Sequence, residues 1–256
     1  MMARNLYLIG TAGSGKSTLT QAFQTWMLSQ RMDAVTINLD PGAETLPYEP
    51  EVDVRDWVML KDVMEEQGLG PNGAQILCAD LVALNIKEIV DVLERFDTDY
   101  FLFDTPGQME LFTFRESSRV LIDSFGAEDS ALVYLNDPAL VKRASGLVSS
   151  IFLSATTQFR HMLPFINILA KSDLLTEEET ENIVNWSTDP YALHDALVEE
   201  GTTPKTVLDI EFLKAMESIG LYKRLIPVSA ETQSGFGDVY DLVQQTFAGG
   251  EDLRPD

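Results

Sequence analysis

Six short apolar runs punctuate the chain, at residues 6–9, 34–39, 100–103, 131–135, 165–170 and 225–228, and most stop at Gly, Asp, Asn or Ser. Each is too short for a helix and rich in branched or aromatic residues, so each predicts a strand buried on both faces. Between them the apolar positions recur at helical spacing, over residues 16–31, 54–67, 87–96 and 236–247. This alternation predicts an α/β fold: a P-loop NTPase-like three-layer α/β/α sandwich with a mostly parallel sheet and ligands at the carboxyl ends of its strands. Two stretches exceed a minimal core, about 41–75 and 176–222. The second opens on Glu177-Glu178-Glu179 and is broken by Pro190, Gly201 and Pro204. No linker-like composition flanks either, so they predict helical insertions within a single domain, residues 1–256.

Composition narrows the picture. The chain has 256 residues, 45% of them hydrophobic, which is enough for one large buried core. No run approaches the roughly 18 apolar residues needed to span a membrane, and the first residues lead straight into a strand pattern with no signal-peptide core. One cysteine, Cys78, excludes an internal disulfide, and two histidines make a Cys/His zinc site unsuitable. A cytoplasmic location is expected. The formal net charge of −23 repels phosphodiester backbones and anionic lipid, so neither nucleic acid nor membrane is an expected direct partner. The same charge suits a salt-rich cytoplasm or an ordinary acidic protein.

The strongest chemical signal follows the first strand. Gly10-Thr11-Ala12-Gly13-Ser14-Gly15-Lys16-Ser17 fits the pattern G-x-x-x-x-G-K-S, and Thr18 continues into a helix. Glycines let successive backbone N–H groups turn inward around a phosphate, and the helix N-terminus adds positive potential. Lys16 is expected on the β- and γ-phosphates and Ser17 on Mg²⁺. Asp104-Thr105-Pro106-Gly107-Gln108 follows the third run: Asp104 is placed to hold Mg²⁺ through water and the Gly107 N–H to bond a γ-phosphate. Loss of that phosphate would release the segment, the physics of an order–disorder switch.

Lys171-Ser172-Asp173 follows the fifth run. A carboxylate there accepts two hydrogen bonds from guanine, a donor pair adenine lacks, and an unpaired carboxylate against adenine costs a few kcal/mol. Lys171 can lay its aliphatic stem on the base, while Ser229 and Ala230 after the last run would offer N–H groups to guanine O6. Asp40 ends the second run before Pro41-Gly42. It reads equally as a turn former and as a carboxylate that orients the attacking water or a metal-bound water. Gly70-Pro71-Asn72 reads as a loop that presents the Asn72 amide at its tip, or as a helix cap and turn.

Together these motifs, in this order and over nearly the whole chain, resemble the GPN-loop GTPases; the stretch from Asp62 to Ala74 carries the resemblance most specifically. The resemblance implies GTP/GDP and Mg²⁺ as ligands and a constitutive homodimer in which Asn72 reaches the partner's γ-phosphate site. It also implies that Asp40, Gln108 and Glu110 place the attacking water and support the Mg²⁺ shell beside Ser17 and Asp104. An archaeal-type member of this length is implied, with assembly of RNA polymerase or a related client as its role. One departure stands out: Ala170 precedes Lys171 where many GTPases carry Asn, Thr or Ser, so base recognition rests more heavily on Asp173. Two other readings compete. A nucleotide or small-molecule kinase would need arginines over the phosphates, yet the insertion carries only Lys205 and Lys214 before Lys223-Arg224. An interaction module with little turnover would use the acidic insertion as its partner surface.

Overall fold

Every one of the six apolar runs is a strand, and a two-residue strand joins them. The computed structural model describes residues 3–248 apart from 202, 221 and 223. Its strands are β1 (Arg4–Gly10), β2 (Ala34–Asn38), β3 (Val52–Asp53), β4 (Tyr100–Asp104), β5 (Ser130–Asn136), β6 (Phe165–Leu169) and β7 (Ile226–Pro227). They form one seven-stranded sheet in the order β3-β2-β4-β1-β5-β6-β7. β1 runs parallel to β4, β2 to both β3 and β4, and β6 to β7. The register sets Leu8 of β1 and Asn38, the last residue of β2, on either side of Asp104 at the end of β4. An α/β sandwich is therefore what the chain adopts.

The chain divides within β5 into two compact units, Met1–Val133 and Tyr134–Asp256. Helices of the first are α1 (Lys16–Ser29), α2 (Leu60–Gln67), α3 (Pro71–Leu84), α4 (Ile86–Leu93), α5 (Met109–Thr113) and α6 (Glu116–Phe125). Its core is made by residues such as Leu6, Ile9, Met27, Ile37, Leu102 and Phe103, with Tyr7 stacked on Phe103 at a centroid distance of 4.5 Å. The expected helix over 54–67 is two pieces. Asp53 accepts a hydrogen bond from the Arg55 N–H at 2.9 Å and caps only a 3-10 turn, Val54–Asp56. The Leu60 N–H then bonds the Pro41 carbonyl at 3.0 Å and α2 starts afresh.

In the second unit, α7 (Pro138–Val141), α8 (Ala144–His161), α9 (Glu177–Thr188), α10 (Pro190–Glu199), α11 (Pro204–Ser218) and α12 (Phe236–Ala248) follow. The insertion expected at 176–222 is α9 to α11, with breaks where Pro190 and Pro204 begin new helices. The triple-glutamate start is a helix N-terminus. Thr176 and Glu179 form a reciprocal capping box at 3.2 and 2.9 Å, and the carboxylates sit at the positive end of the helix dipole. Ile183, Leu193, Leu197 and Leu213 join Leu147, Val148 and Leu169 in one buried cluster. At about 2 kcal/mol per fully buried leucine or isoleucine, four such residues hold the insertion as part of this unit's core.

Candidate functional site

Lys16 is the centre of the phosphate loop. The chain leaves β1 at Gly10 and re-enters helix at Lys16, with Gly13 and Gly15 at φ +77 and +96°, conformations that suit glycine. The Ser14 N–H bonds the Thr11 carbonyl at 3.1 Å and closes the turn. The Lys16 ammonium is buried and donates to the Gly10 and Thr11 carbonyls at 3.1 and 3.2 Å. Burial pulls its pKa down, while the charges of Asp104 and Asp40 oppose that shift. Ser17 is half-buried and Thr18 exposed at the start of α1; Ala12 lies exposed on the loop.

Asp104 ends β4, and Asp40 follows β2 by two residues. Asp104 is 1% exposed; burial pushes its carboxyl up to about 6 against the hydrogen bonds of Ser17 and Tyr48 and the charge of Lys16. Its Oδ2 accepts from the Tyr48 hydroxyl at 3.1 Å, whereas Oδ1 is buried with no hydrogen-bond partner. Asp40 forms the turn the sequence allowed, and its second oxygen is engaged as well. Its Oδ1 accepts from the Gly42 N–H at 2.8 Å and forms the turn; its Oδ2 accepts from the Gly107 N–H at 3.2 Å. Asn38 braces it, taking the Asp40 N–H at 3.0 Å and donating to the Asp40 carbonyl at 3.1 Å. The Gly107 N–H expected on a γ-phosphate is thus held by a carboxylate here.

The fit to a cation can be judged from these atoms. A serine hydroxyl, a buried carboxylate with one orphaned oxygen and a second carboxylate nearby form a hard-oxygen set, the kind Mg²⁺ accepts. Among the described residues no group of three or more His, Cys, Asp or Glu is arranged to hold a metal alone.

In the second unit the residues expected to read the base follow β6 and β7. Lys171 adopts a left-handed φ of 53° and its ammonium donates to Asp137 Oδ2 at 2.8 Å. This leads into the short turn Ser172–Leu174, on which Asp173 is exposed. The Ser172 N–H bonds the Val228 carbonyl at 3.0 Å, and the Val228 N–H bonds the Leu169 carbonyl at 2.8 Å, which stitches the two motif segments together. The Ser229 N–H, expected to face guanine, is taken by the Ser234 carbonyl at 3.1 Å. Its neighbour Ala230 is half-buried on the same turn. Ala170 keeps its backbone place, its N–H on the Asn136 carbonyl at 3.0 Å.

Gly70-Pro71-Asn72 is not a loop. Gly68 ends α2 in the left-handed region at φ 64°, Gly70 is the N-cap of α3, Pro71 its first residue and Asn72 its second. Proline fits there because its missing N–H would be unpaired in any case. No side chain caps α3 and its first turn holds no acid, so Asn72 stands exposed beside uncapped backbone. Gln108 and Glu110, at the start of α5, are also exposed. The structure brings Lys16, Ser17, Asp40, Asp104 and Gly107 together and leaves Asn72, Gln108 and Glu110 facing outward. Tyr48 was missed by sequence reasoning: it lies in an irregular stretch with no periodicity, 56 positions from the carboxylate it bonds.

Comparison with known proteins agrees with these motifs. A family model described as a conserved hypothetical ATP-binding protein matches residues 8–249. A GPN-loop GTPase of Pyrococcus abyssi is 33% identical over 247 residues, covering 96% of this chain and 98% of that protein. The chain belongs to the GPN-loop GTPase family. GPN-loop GTPase 3 of Kluyveromyces lactis is 30% identical over 97% of this chain and 93% of its own length. GPN-loop GTPase 1 of Dictyostelium discoideum is 28% identical over 93% of this chain, which spans only 60% of that relative's length. The crystal structure of the Pyrococcus abyssi GTPase in apo form superposes with a TM-score of 0.86, at 32% identity, covering 96% of this chain and 98% of that one. Family membership places the chain among GTP hydrolases, although the family model's own description speaks of ATP. Among the described residues no helix is long and apolar enough to cross a membrane.

Proposed function

We propose that this single-domain protein hydrolyses GTP to GDP and phosphate with Mg²⁺, as a homodimer whose Gly70-Pro71-Asn72 segment completes the partner's site. The observation that carries the reading is the Lys16–Asp40–Asp104 constellation, with an orphaned Asp104 oxygen and Asp40 bonded to the Gly107 N–H. Ser17 and Asp104 would hold Mg²⁺, with Asp40 beside them; when bound, the ion neutralises phosphate charge. Lys16 adds a fixed positive charge where the β- and γ-oxygens would lie. A terminal phosphate that takes the Gly107 N–H leaves Asp40 Oδ2 free to orient the attacking water. Gln108 and Glu110 would support that water from the start of α5. Catalysis is then positioning and electrostatic stabilisation, as phosphoryl transfer requires.

The homodimer is supported by apolar surface in the first unit: Ile76 and Leu84 on α3, with Phe114 and Val120, are 39–79% exposed. A second copy covering them would bring Asn72 to a neighbour. The resemblance extends the role to an assembly factor, with RNA polymerase or a related complex as client and the cytoplasm as its location.

Asp173 predicts the base. Turnover of GTP is expected to exceed that of ATP by a hundredfold or more, on the order of what an unpaired carboxylate costs a competitor. Equal rates in a side-by-side phosphate-release assay would remove guanine specificity. A second expectation concerns Asn72→Ala, which should lower kcat by about a hundredfold, the usual effect of losing one donor on developing charge. Its mass by light scattering should remain that of the wild type. Normal turnover in that variant would make the segment structural only.

A further inference from the structure

The stretch between β2 and β3 has no regular structure, yet it is fastened near both ends. Near its start, Arg55 Nη1 donates to the Ala43 carbonyl at 2.8 Å, and Arg55 is itself paired with Asp53. Near its end, Glu51 Oε2 accepts from the Thr36 N–H at 2.7 Å and the Thr36 hydroxyl at 2.6 Å. Between these anchors the chain delivers one phenol to Asp104. A carboxylate's last torsion is broad and nearly two-fold, so its two oxygens are interchangeable unless something distinguishes them. At Asp104 the Tyr48 hydroxyl contributes to this: Oδ2 carries its 3.1 Å hydrogen bond, Ser17 also bonds the carboxylate, and Oδ1, buried, carries none.

We propose that Tyr48 is a positioning residue of the cation site, holding one oxygen of Asp104 so that the other is presented to the ion or its water. This rests on the Mg²⁺-dependent reading above. In this assignment the phenol acts through Asp104, fixing the carboxylate that does the holding, as outer-shell partners of metal ligands do. It also makes the stretch between β2 and β3 part of the cation site, through a contact made by the protein alone.

The test uses the full chain loaded with GDP and reads Mn²⁺ binding by electron paramagnetic resonance, apart from turnover. Tyr48→Phe keeps the ring and removes only the hydroxyl. Its Mn²⁺ dissociation constant should rise about tenfold or more, the usual effect of losing an outer-shell partner. GDP affinity measured in EDTA should stay at the wild-type value. Added to Asp104→Asn, the Tyr48→Phe change should cost nothing further, since the two act through one carboxylate. Unchanged Mn²⁺ affinity in Tyr48→Phe, fully additive losses in the double variant, or an equal fall of GDP affinity in EDTA would each overturn the assignment. If the wild-type GDP complex itself binds no Mn²⁺, the cation reading beneath the proposal fails, and that result is distinct from the other three.

Discussion

Lys16→Ala is expected to weaken GDP and GTP binding by a hundredfold or more, read by isothermal titration. The side chain supplies the buried positive charge of the phosphate loop, and both charged neighbours, Asp40 and Asp104, are acids. Without it, an anionic ligand would enter a site carrying two carboxylates and only backbone dipoles in its favour. A charge-assisted hydrogen bond contributes about 1.5–3 kcal/mol, and the loss of repulsion screening adds to that, so two decades in affinity is a conservative figure. The change also leaves the Gly10 and Thr11 carbonyls without their shared donor. The melting point of the nucleotide-free variant is therefore a needed companion measurement. A folded variant with unaltered nucleotide affinity would refute the phosphate-loop assignment.

Gly235→Ala is expected to be strongly destabilising to the second unit. Gly235 has φ +79°, and a Cβ built there would lie 2.0 Å from the Pro227 carbonyl oxygen and 3.1 Å from its carbon. Backbone would have to move, and what moves is the join between β7 and the turn that bears Ser229 and Ala230. Strain plus clash should cost about 3 kcal/mol or more, roughly 6–12 °C in melting temperature for a chain of this size. Two residues on, Gly237 lies inside α12 with nothing within 4 Å of its would-be Cβ. Gly237→Ala should therefore hold or raise the melting temperature, because alanine is favoured over glycine in helix by up to about 1 kcal/mol. Equal effects of the two substitutions would show that contact geometry at Gly235 does not govern the turn.

The strands were legible because they are buried on both faces, which leaves apolar runs with no polar alternation. β3 was not, since two residues carry no period and Val52–Asp53 is a strand only through its pairing with Ile37 and Asn38. Contiguous motifs, such as Gly10 to Ser17 or Lys171 to Asp173, could be read directly because each presents its chemistry from one turn. The brace around Asp40 and the Tyr48–Asp104 bond join residues from separate segments, and no local pattern marks them. Gly70-Pro71-Asn72 is a different case: the start signal was present in Pro71, but the flanking glycines suggested a loop. Gly68 in fact ends one helix and Gly70 begins the next.

That placement alters what Asn72 would bring to a neighbouring site. An amide offers two polarised N–H donors and no net charge, which on its own is a weak answer to a phosphate. Asn72, however, rides at the second position of a 14-residue helix whose N-terminus no side chain caps and no acid neutralises. The aligned peptide dipoles of such a helix amount to roughly half an elementary charge at that end. Under the proposed dimeric arrangement, the partner would receive a directional amide together with a fractional positive pole built entirely from backbone. That pole cannot be titrated or deprotonated, and it is withdrawn whenever the helix end moves away.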